Sequence, residues 1–175
     1  LNCVANTKLL DICKQGLWIM PNPGDCGNSL GAALSYTKKP VIWPGPYIGT
    51  NIDYPYPVDA CIKELSTNKM VGVASGRAEF GPRALGHRSL LADPRGPEIK
   101  DTVNEIKRRQ KFRPFAPAIL EEHLHEYFEL PADQSPYMQF VGQCKRPNDF
   151  PAIIHVDGSS RIQTVGRSDS PGFRA

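Results

Sequence analysis

The segment Ser75-Gly-Arg-Ala-Glu-Phe-Gly-Pro-Arg-Ala-Leu-Gly-His-Arg-Ser89 is the most informative part of this 175-residue sequence. Its glycines, at positions 76, 81 and 86, allow the backbone to approach a ligand closely. Its arginines, at positions 77, 83 and 88, carry fork-shaped donors that match the oxygens of phosphate or carboxylate. The segment predicts an anion-binding loop. The alternative is a solvated loop whose arginines pair with Glu79 and Asp93.

On both sides of this segment, the hydrophobic pattern predicts a mixed α/β fold. The predicted strands cover 70–74 and 89–92 on either side of the loop, then 115–120 and 137–141, and a hairpin joins 153–156 to 161–165 through Asp157-Gly-Ser-Ser160. The predicted helices begin at Val58, at Pro97 (ending near Arg109, with Ile99, Val103 and Ile106 inward) and at Glu121 (ending at Phe128). Before them the pattern predicts a helix over 3–15, a strand over 17–20 and a helix capped by Asp25 that ends at Leu34.

The charge of the chain is concentrated in one region. Between Arg77 and Arg113 there are ten basic and five acidic residues, whereas the whole chain carries a net charge of only +3. Such a local excess favours an anionic ligand. The helix from Pro97 contributes a polar, basic stripe made of Lys100, Asn104, Lys107, Arg108 and Lys111.

Arg113 follows this helix and precedes a proline, so its backbone is predicted to be extended. Phe112 and Phe115 flank it, and side chains held between aromatic rings lose rotamer freedom. This pattern favours a preorganised clamp for an anion. The alternative is an arginine that packs its stem on phenylalanine and keeps its charged group in water.

The composition excludes several other classes of protein. The five cysteines form no C-x-x-C pair, which argues against a zinc knuckle or a disulfide framework and favours reduced thiols in the cytoplasm. No apolar run approaches the roughly 20 residues of a membrane helix. Few aromatic residues near the arginines could stack on bases, and the net charge of the chain is only +3, so nucleic-acid binding is not expected.

Six ordered blocks between residues 76 and 165 resemble the carboxy-terminal domain of the carbamoyltransferase family that includes nodulation-factor and antibiotic O-carbamoyltransferases. These blocks are Gly76–Ser89, Ala92-Asp-Pro-Arg95, Asn104 with Ile106-Lys107, Phe112-Arg-Pro-Phe-Ala-Pro117, Ser135-Pro-Tyr-Met138, and His155-Val-Asp-Gly158 with Arg161-Ile-Gln-Thr-Val165. Earlier in the chain, Pro23-Gly-Asp-Cys-Gly27 and Leu30-Gly-Ala-Ala-Leu34 resemble a further motif of the family. The sequence departs from the family pattern at Gln110, where glutamate is usual.

The resemblance implies a domain organisation. Residues 1–36 would be the last helices of an actin-like domain, 37–57 a linker, and 58–175 a truncated YrdC-like α/β domain. We expect the chain to be part of a longer protein whose amino-terminal domain holds the acceptor site. The chain alone is therefore not expected to complete a transfer.

The resemblance also implies an activity. Members of the family form carbamoyladenylate from carbamoyl phosphate and ATP, with Mg²⁺, and then pass the carbamoyl group to the hydroxyl of a small molecule. The residues expected to carry the first reaction are Arg83, Arg88, Lys107 and Arg113, with substrate contacts also from Arg77, Gly81, Arg109, His155 and Arg161. An RNA-binding or tRNA-modification module of YrdC-like fold is the alternative function.

Asp25 has two possible roles. From its position it caps a helix. In the related proteins the aspartate of this motif helps hold a divalent metal, expected to be iron, together with histidines outside this chain. The resemblance therefore implies that Asp25 is one ligand of an incomplete metal site.

Overall fold

The structure is a computed structural model that describes residues 2–13 and 16–175. It confirms the predicted mixed α/β class. The α-helices are α1 (Cys3–Leu10), α2 (Asp25–Thr37), α3 (Val58–Asn68), α4 (Ile99–Ile106), α5 (Leu124–Tyr127) and α6 (Pro171–Arg174). The strands are β1 (Asn51–Ile52), β2 (Met70–Ala74), β3 (Gly76–Arg77), β4 (Arg88–Ala92), β5 (Ala118–Leu120), β6 (Phe128–Glu129), β7 (Val141–Cys144), β8 (Ser159–Arg161) and β9 (Gln163–Val165). Short 3-10 helices cover Glu121–His123 and Pro151–Ile153.

The arginine-rich segment connects two paired strands. β2 and β4 run antiparallel, with Met70 opposite Ala92 and Ala74 opposite Arg88. Between them the chain makes an excursion in which β3 pairs with β1. The segment is therefore anchored at both ends by the same pair of strands, as the strands predicted on either side of it imply.

The remaining strands form two small sheets. β6, β7 and β8 are antiparallel neighbours, whereas β5 and β9 are parallel. The predicted hairpin is wrong, because β8 pairs with β7, β9 pairs with β5, and residues 151–153 are helical. The fully buried Ile162 separates β8 from β9, so the chain changes sheets there. Of the predicted hairpin only the turn is present, and there His155 N donates to Ser159 O at 2.9 Å.

The main hydrophobic core lies between the three-stranded sheet and α5. Its buried members are Leu124, Phe128, Leu130, Phe140, Ile153 and Ile162. A smaller core joins α4 to the second 3-10 helix through Ile99, Val103 and Ala152. Helix α1 packs against β7, where Val141 N donates to Thr7 Oγ1 at 2.9 Å. These contacts hold α4 against the second 3-10 helix and α1 against β7.

Several predicted boundaries need correction. Helix α1 ends at Leu10, and the predicted helical residues Lys14 and Gln15 lie outside the described residues. Residues 17–20 form no strand. Helix α2 runs three residues beyond Leu34, and Gly24 rather than Asp25 is its N-cap. The strand predicted over 137–141 begins at Val141, because Met138 has a φ of 58° that breaks an extended backbone.

Other corrections concern the second half. Proline at 114 and 117 removes backbone donors, so β5 begins only at Ala118. The helix predicted over 121–128 is a 3-10 turn followed by the four-residue α5. Helix α4 starts at Ile99 and ends at Ile106, whose side chain is 56% exposed rather than inward. The helix stops at this residue, so no further turn covers it.

The segment predicted as a linker is attached to the arginine-rich loop. Within residues 38–57 only β1 is regular secondary structure. The hydroxyls of Tyr47 and Tyr56 donate to Leu85 O (2.9 Å) and Gly86 O (3.0 Å), and Tyr47 stacks on His87. Burial raises the pKa of Tyr56 to about 12, so this hydroxyl keeps its proton near neutral pH.

No described helix combines the length and apolar character that a membrane crossing requires.

Candidate anion-binding site

The carboxylate of Glu79 holds the arginine-rich loop in shape. Its Oε1 accepts hydrogen bonds from the backbone N–H groups of Leu85 (2.9 Å), His87 (2.8 Å) and Arg88 (3.2 Å). Burial alone would raise the pKa of Glu79, but these backbone donors outweigh it and the pKa is lowered. Glu79 is therefore charged at neutral pH. It accepts hydrogen bonds from backbone N–H groups, whereas the alternative prediction paired it with an arginine of the loop.

Arg88 is a second brace of the same loop. Its Nη1 donates to Ser75 O (2.9 Å) and His87 O (2.8 Å), and its Nη2 donates to Thr50 O (3.0 Å) and Gly76 O (3.1 Å). The expectation that Arg88 converges on the same pocket as Arg83 is therefore wrong. Ser89, Leu90 and Leu91 of β4 line the cavity, whereas Arg88 does not.

Two more residues of the predicted set lie away from the pocket. The exposed Arg77 donates to Gly49 O at 3.4 Å. Gly81 has a φ of 115°, and a Cβ added there would lie 2.0 Å from Asn22 Oδ1. Gly81 thus permits a tight contact between the first segment and the loop, and it takes no part in the cavity wall.

The other predicted cations surround one cavity of about 540 Å³. Arg83 comes from the loop before β4, Lys107 from the end of α4, and Arg161 from β8. Arg109 and Arg113, from the chain after α4, complete the basic wall. The structure therefore brings together five of the nine residues predicted to contact substrate. This grouping comes from three parts of the chain that are far apart in sequence.

Buried Asn104 shapes the part of the wall that follows α4. Its side chain is fully buried, although the sequence grouped it with four basic residues in a polar stripe. Asn104 Nδ2 donates to Lys111 O (3.2 Å) and Arg113 O (3.1 Å), and Oδ1 accepts from Arg109 Nε at 2.5 Å. One amide thus sets the course of the chain from 104 to 113 and orients a guanidinium of the cavity.

The aromatic clamp falls on a different arginine than the sequence suggested. The guanidinium of Arg109 lies 4.5 Å from the ring centroid of Phe115, within the range of a cation–π contact. Phe112 is 76% exposed and buries nothing around Arg113. Arg113 Nε instead donates to Gln110 Oε1 at 2.8 Å. The expected role of Phe112 is therefore wrong, and Gln110 orients Arg113.

The cavity holds positive charge without a counter-charge. Arg83 Nε and Arg161 Nε are both buried and have no hydrogen-bond partner among the described residues. Burial lowers the pKa of Arg83, and the charge of Arg161 lowers it further. Burial also lowers the pKa of Arg109, to which Arg113 and Arg161 add. No side chain lining the described cavity is acidic. An anion with several oxygens would relieve this repulsion and satisfy the unpaired donors.

His155 does not line the cavity, but the positive charge of Arg161, which does, affects its pKa. Burial lowers its pKa and Arg161 lowers it further, while Asp157 acts in the opposite direction. Its Nδ1 is 3.3 Å from Ser159 Oγ, and Ser159 donates its own proton to Asp157 Oδ1 at 2.7 Å. This chain of bonds favours the proton on Nδ1, because the serine oxygen is left to accept. The Nε2 atom is buried and unpartnered among the described residues.

Comparison with known proteins identifies the family to which this geometry belongs. Residues 62–175 match the family model described as Carbamoyltransferase C-terminus. The chain belongs to this family. It is 37% identical, over 98% of its length, to Nodulation protein NolO of Bradyrhizobium diazoefficiens, and 39% identical, over 88% of its length, to Nodulation protein U of Sinorhizobium fredii. It also matches uncharacterized protein sll1178 of Synechocystis, at 37% identity over 99% of the chain.

These comparisons confirm the resemblance drawn from the six sequence blocks. They also set its scale. The chain covers 37% of NolO, 30% of Nodulation protein U and 37% of sll1178, so it spans about a third of the length of these relatives. The cationic cavity lies within the part of this carbamoyltransferase-family chain that the family model matches.

Asp25 does not form a metal site with the residues described. It occupies the first turn of α2, makes no side-chain cap, and the described chain holds no group of three histidine, cysteine, aspartate or glutamate side chains suited to a metal. The donors present in this carbamoyltransferase-family chain therefore do not fit a divalent ion by themselves. Metal ligation by Asp25 stays a prediction about a longer protein.

Sequence reasoning missed the residues that hold the site in shape. Asn104 was predicted as one residue of a polar, basic stripe, and Glu79 was considered only as a partner for arginine. The signal available for Asn104 was its position next to Val103, which is buried. Asn22 and the two tyrosines gave no sequence signal, because their contacts with the loop span long stretches of chain.

Proposed function

We propose that this chain is the phosphate-handling part of an O-carbamoyltransferase. Carbamoyl phosphate and the phosphates of ATP bind in the cationic cavity, where carbamoyladenylate forms. The observation that supports this most strongly is the pair of buried, unpartnered guanidinium nitrogens of Arg83 and Arg161. Buried donors left unpaired are costly, and a site that keeps them is one that a ligand completes.

The proposed reaction fits the chemistry of the cavity wall. Carbamoyl phosphate, ATP and one water yield carbamoyladenylate, phosphate and pyrophosphate, so many anionic oxygens gather in one place. Such reactions depend on positioning and on positive charge more than on a dedicated base. The residues of the wall that the structure describes include five cations and no acidic side chain. It therefore fits the anions, whereas Mg²⁺ would be held by the phosphates of ATP, since the wall offers it no carboxylate.

The remaining steps belong to the longer protein. We propose that the carbamoyl group passes to a hydroxyl of a small molecule in an actin-like domain, that Asp25 helps hold iron there, and that residues 58–175 are a YrdC-like domain. The supply of ATP and carbamoyl phosphate, and five unpaired cysteines, favour the cytoplasm. An RNA-binding function is not favoured, because the five cations surround one cavity of about 540 Å³ instead of forming an extended stripe.

The test measures pyrophosphate released by the full-length protein that carries this chain. With ATP and Mg²⁺, release should depend on carbamoyl phosphate. Arg83→Ala should reduce it by about tenfold or more, as expected for the loss of a charge-assisted contact. Arg108→Ala is the matched control, because Arg108 is exposed and outside the cavity wall. Release that ignores carbamoyl phosphate, or an unaffected Arg83→Ala variant, would refute the proposal.

A further inference from the structure

Gln163 is an uncharged side chain in the wall of the cationic cavity. Its side chain is nearly buried, with 9% of the residue exposed, and it lines the same cavity as Arg83 and Arg161. Its backbone N–H is used by the parallel sheet, where it donates to Pro117 O at 3.0 Å. Strand β9 therefore fixes the point from which the Gln163 side chain enters the wall.

The orientation of the Gln163 amide follows from the hydrogen bond that its side chain makes with Ala84. Nε2 donates to Ala84 O at 3.1 Å, in the loop that carries Arg83. The reversed orientation would place the amide oxygen against this carbonyl, and two acceptors repel each other. Gln163 Oε1 is thus the free end of the amide, because within the described chain the only hydrogen bond of this side chain is the one that Nε2 donates.

This oxygen differs from the other polar groups of the wall. Lys107 and the four arginines can only donate. Ser89 Oγ already accepts from Gly86 N at 2.8 Å. Among the described side chains that line the cavity, Gln163 therefore presents the one strong acceptor that has no donor. A ligand that fills this site should carry an N–H or O–H group as well as its anionic part.

Carbamoyl phosphate has this combination. Its phosphate and carbonyl oxygens accept hydrogen bonds, whereas its NH₂ group only donates. The cations satisfy the acceptors, and they leave the NH₂ group in need of an acceptor. We propose that Gln163 Oε1 accepts a hydrogen bond from the NH₂ group and makes the site select carbamoyl phosphate over acyl phosphates. This inference rests on the proposed function.

Acetyl phosphate is the informative competitor. It has nearly the same shape and carries a methyl group where carbamoyl phosphate has NH₂. Bound in the same place, it would leave Gln163 Oε1 desolvated and unpaired, and sites built around a hydrogen bond reject such analogues strongly. Inorganic phosphate has no acyl end, so it reports the cationic part of the site alone.

The experiment compares the affinities of these three compounds by titration calorimetry on the full-length protein that carries this chain. The unaltered protein should bind carbamoyl phosphate about tenfold tighter than acetyl phosphate, a factor equal to about 1.4 kcal/mol. Gln163→Met, similar in size and without the amide, should bring the two affinities within about twofold while inorganic phosphate binds as before. Gln163→Glu keeps an acceptor, so it should weaken all three anions and retain the preference.

The outcomes separate this inference from the function on which it rests. An unaltered protein that binds none of the three compounds overturns the proposed function itself. Binding of carbamoyl phosphate without preference over acetyl phosphate, or a preference that survives in Gln163→Met, overturns the role of Gln163 alone. If Gln163→Met does not fold, the unaltered protein and Gln163→Glu still decide, because a preference absent from either one contradicts the proposal.

Discussion

Replacing Arg83 by methionine should separate stability from ligand binding. The arginine is partly buried, its Nε has no partner among the described residues, and Arg161 repels it. The lowered pKa means that the fold disfavours the charged form of this side chain. Methionine keeps most of the apolar stem without the charge. We therefore expect the unliganded Arg83→Met protein to be as stable as the unaltered one, or more stable by up to about 1 kcal/mol.

The stabilisation that ligand binding adds should be smaller in Arg83→Met than in the unaltered protein. At a ligand concentration of about 100 times the dissociation constant, binding stabilises the unaltered protein by about 2.7 kcal/mol. Loss of one charge-assisted contact, worth about 1.5–3 kcal/mol, weakens binding by roughly tenfold to 100-fold. At the same concentration the stabilisation of Arg83→Met should then be only about 0.4–1.4 kcal/mol.

Urea unfolding followed by circular dichroism, with and without carbamoyl phosphate, measures both quantities on the full-length protein. Arg108→Met is the matched control, since Arg108 is an exposed arginine with a φ of 49° that lies outside the cavity wall. It should keep the ligand-induced stabilisation unchanged. If Arg83→Met loses stability without ligand and keeps its response to ligand, Arg83 is a structural residue and our reasoning is wrong.

Three further predictions concern the surroundings of the cavity. Arg88→Ala removes a guanidinium bonded to four backbone carbonyls and should cost about 2–4 kcal/mol of unfolding free energy, against less than about 0.5 kcal/mol for Arg77→Ala, both measured in urea. Hydrogen bonds from Arg95 lower the pKa of Asp93 in the folded protein. The ionised Asp93 therefore stabilises the fold above the pKa of about 3.9 that aspartate has in the unfolded chain, and this stabilisation is lost as the pH falls from there toward the lower pKa of the folded state. Asp93→Asn should therefore lower stability by about 1–2 kcal/mol at pH 7, and this difference should shrink in acid unfolding below about pH 4. Inorganic phosphate should raise the lowered pKa of His155 by offsetting a nearby cation, which an NMR titration of the imidazole protons would detect; an unchanged pKa would contradict this.

The sequence predicted the concentration of basic residues better than it predicted which of their side chains line the cavity. Arginine, lysine and glycine types along 76–113 indicated an anion site because few other roles need that combination. Their spacing could not tell which guanidinium faces the cavity. Arg83 and Arg88 are close neighbours in sequence, yet Arg83 lines the cavity and Arg88 donates to backbone carbonyls.

The fold shows the same division. Strands β2 and β4 and the helix α3 follow local hydrophobic patterns and were predicted well. The hairpin failed because the pairing of residues 159–165 depends on distant partners, namely β7 and β5. Asn104 failed for a related reason, since its burial depends on carbonyls that the chain presents only after α4 has ended.

A crystal structure of the full-length protein with carbamoyl phosphate is the most direct test of the central claim. We expect the phosphate group to lie within hydrogen-bond distance of the guanidiniums of Arg83 and Arg161, and to satisfy the two nitrogens that have no partner without ligand. We also expect Arg88 to keep its bonds to backbone carbonyls in the liganded protein. A phosphate bound elsewhere in the chain, with this cavity filled only by water, would show that the cavity is not the carbamoyl phosphate site.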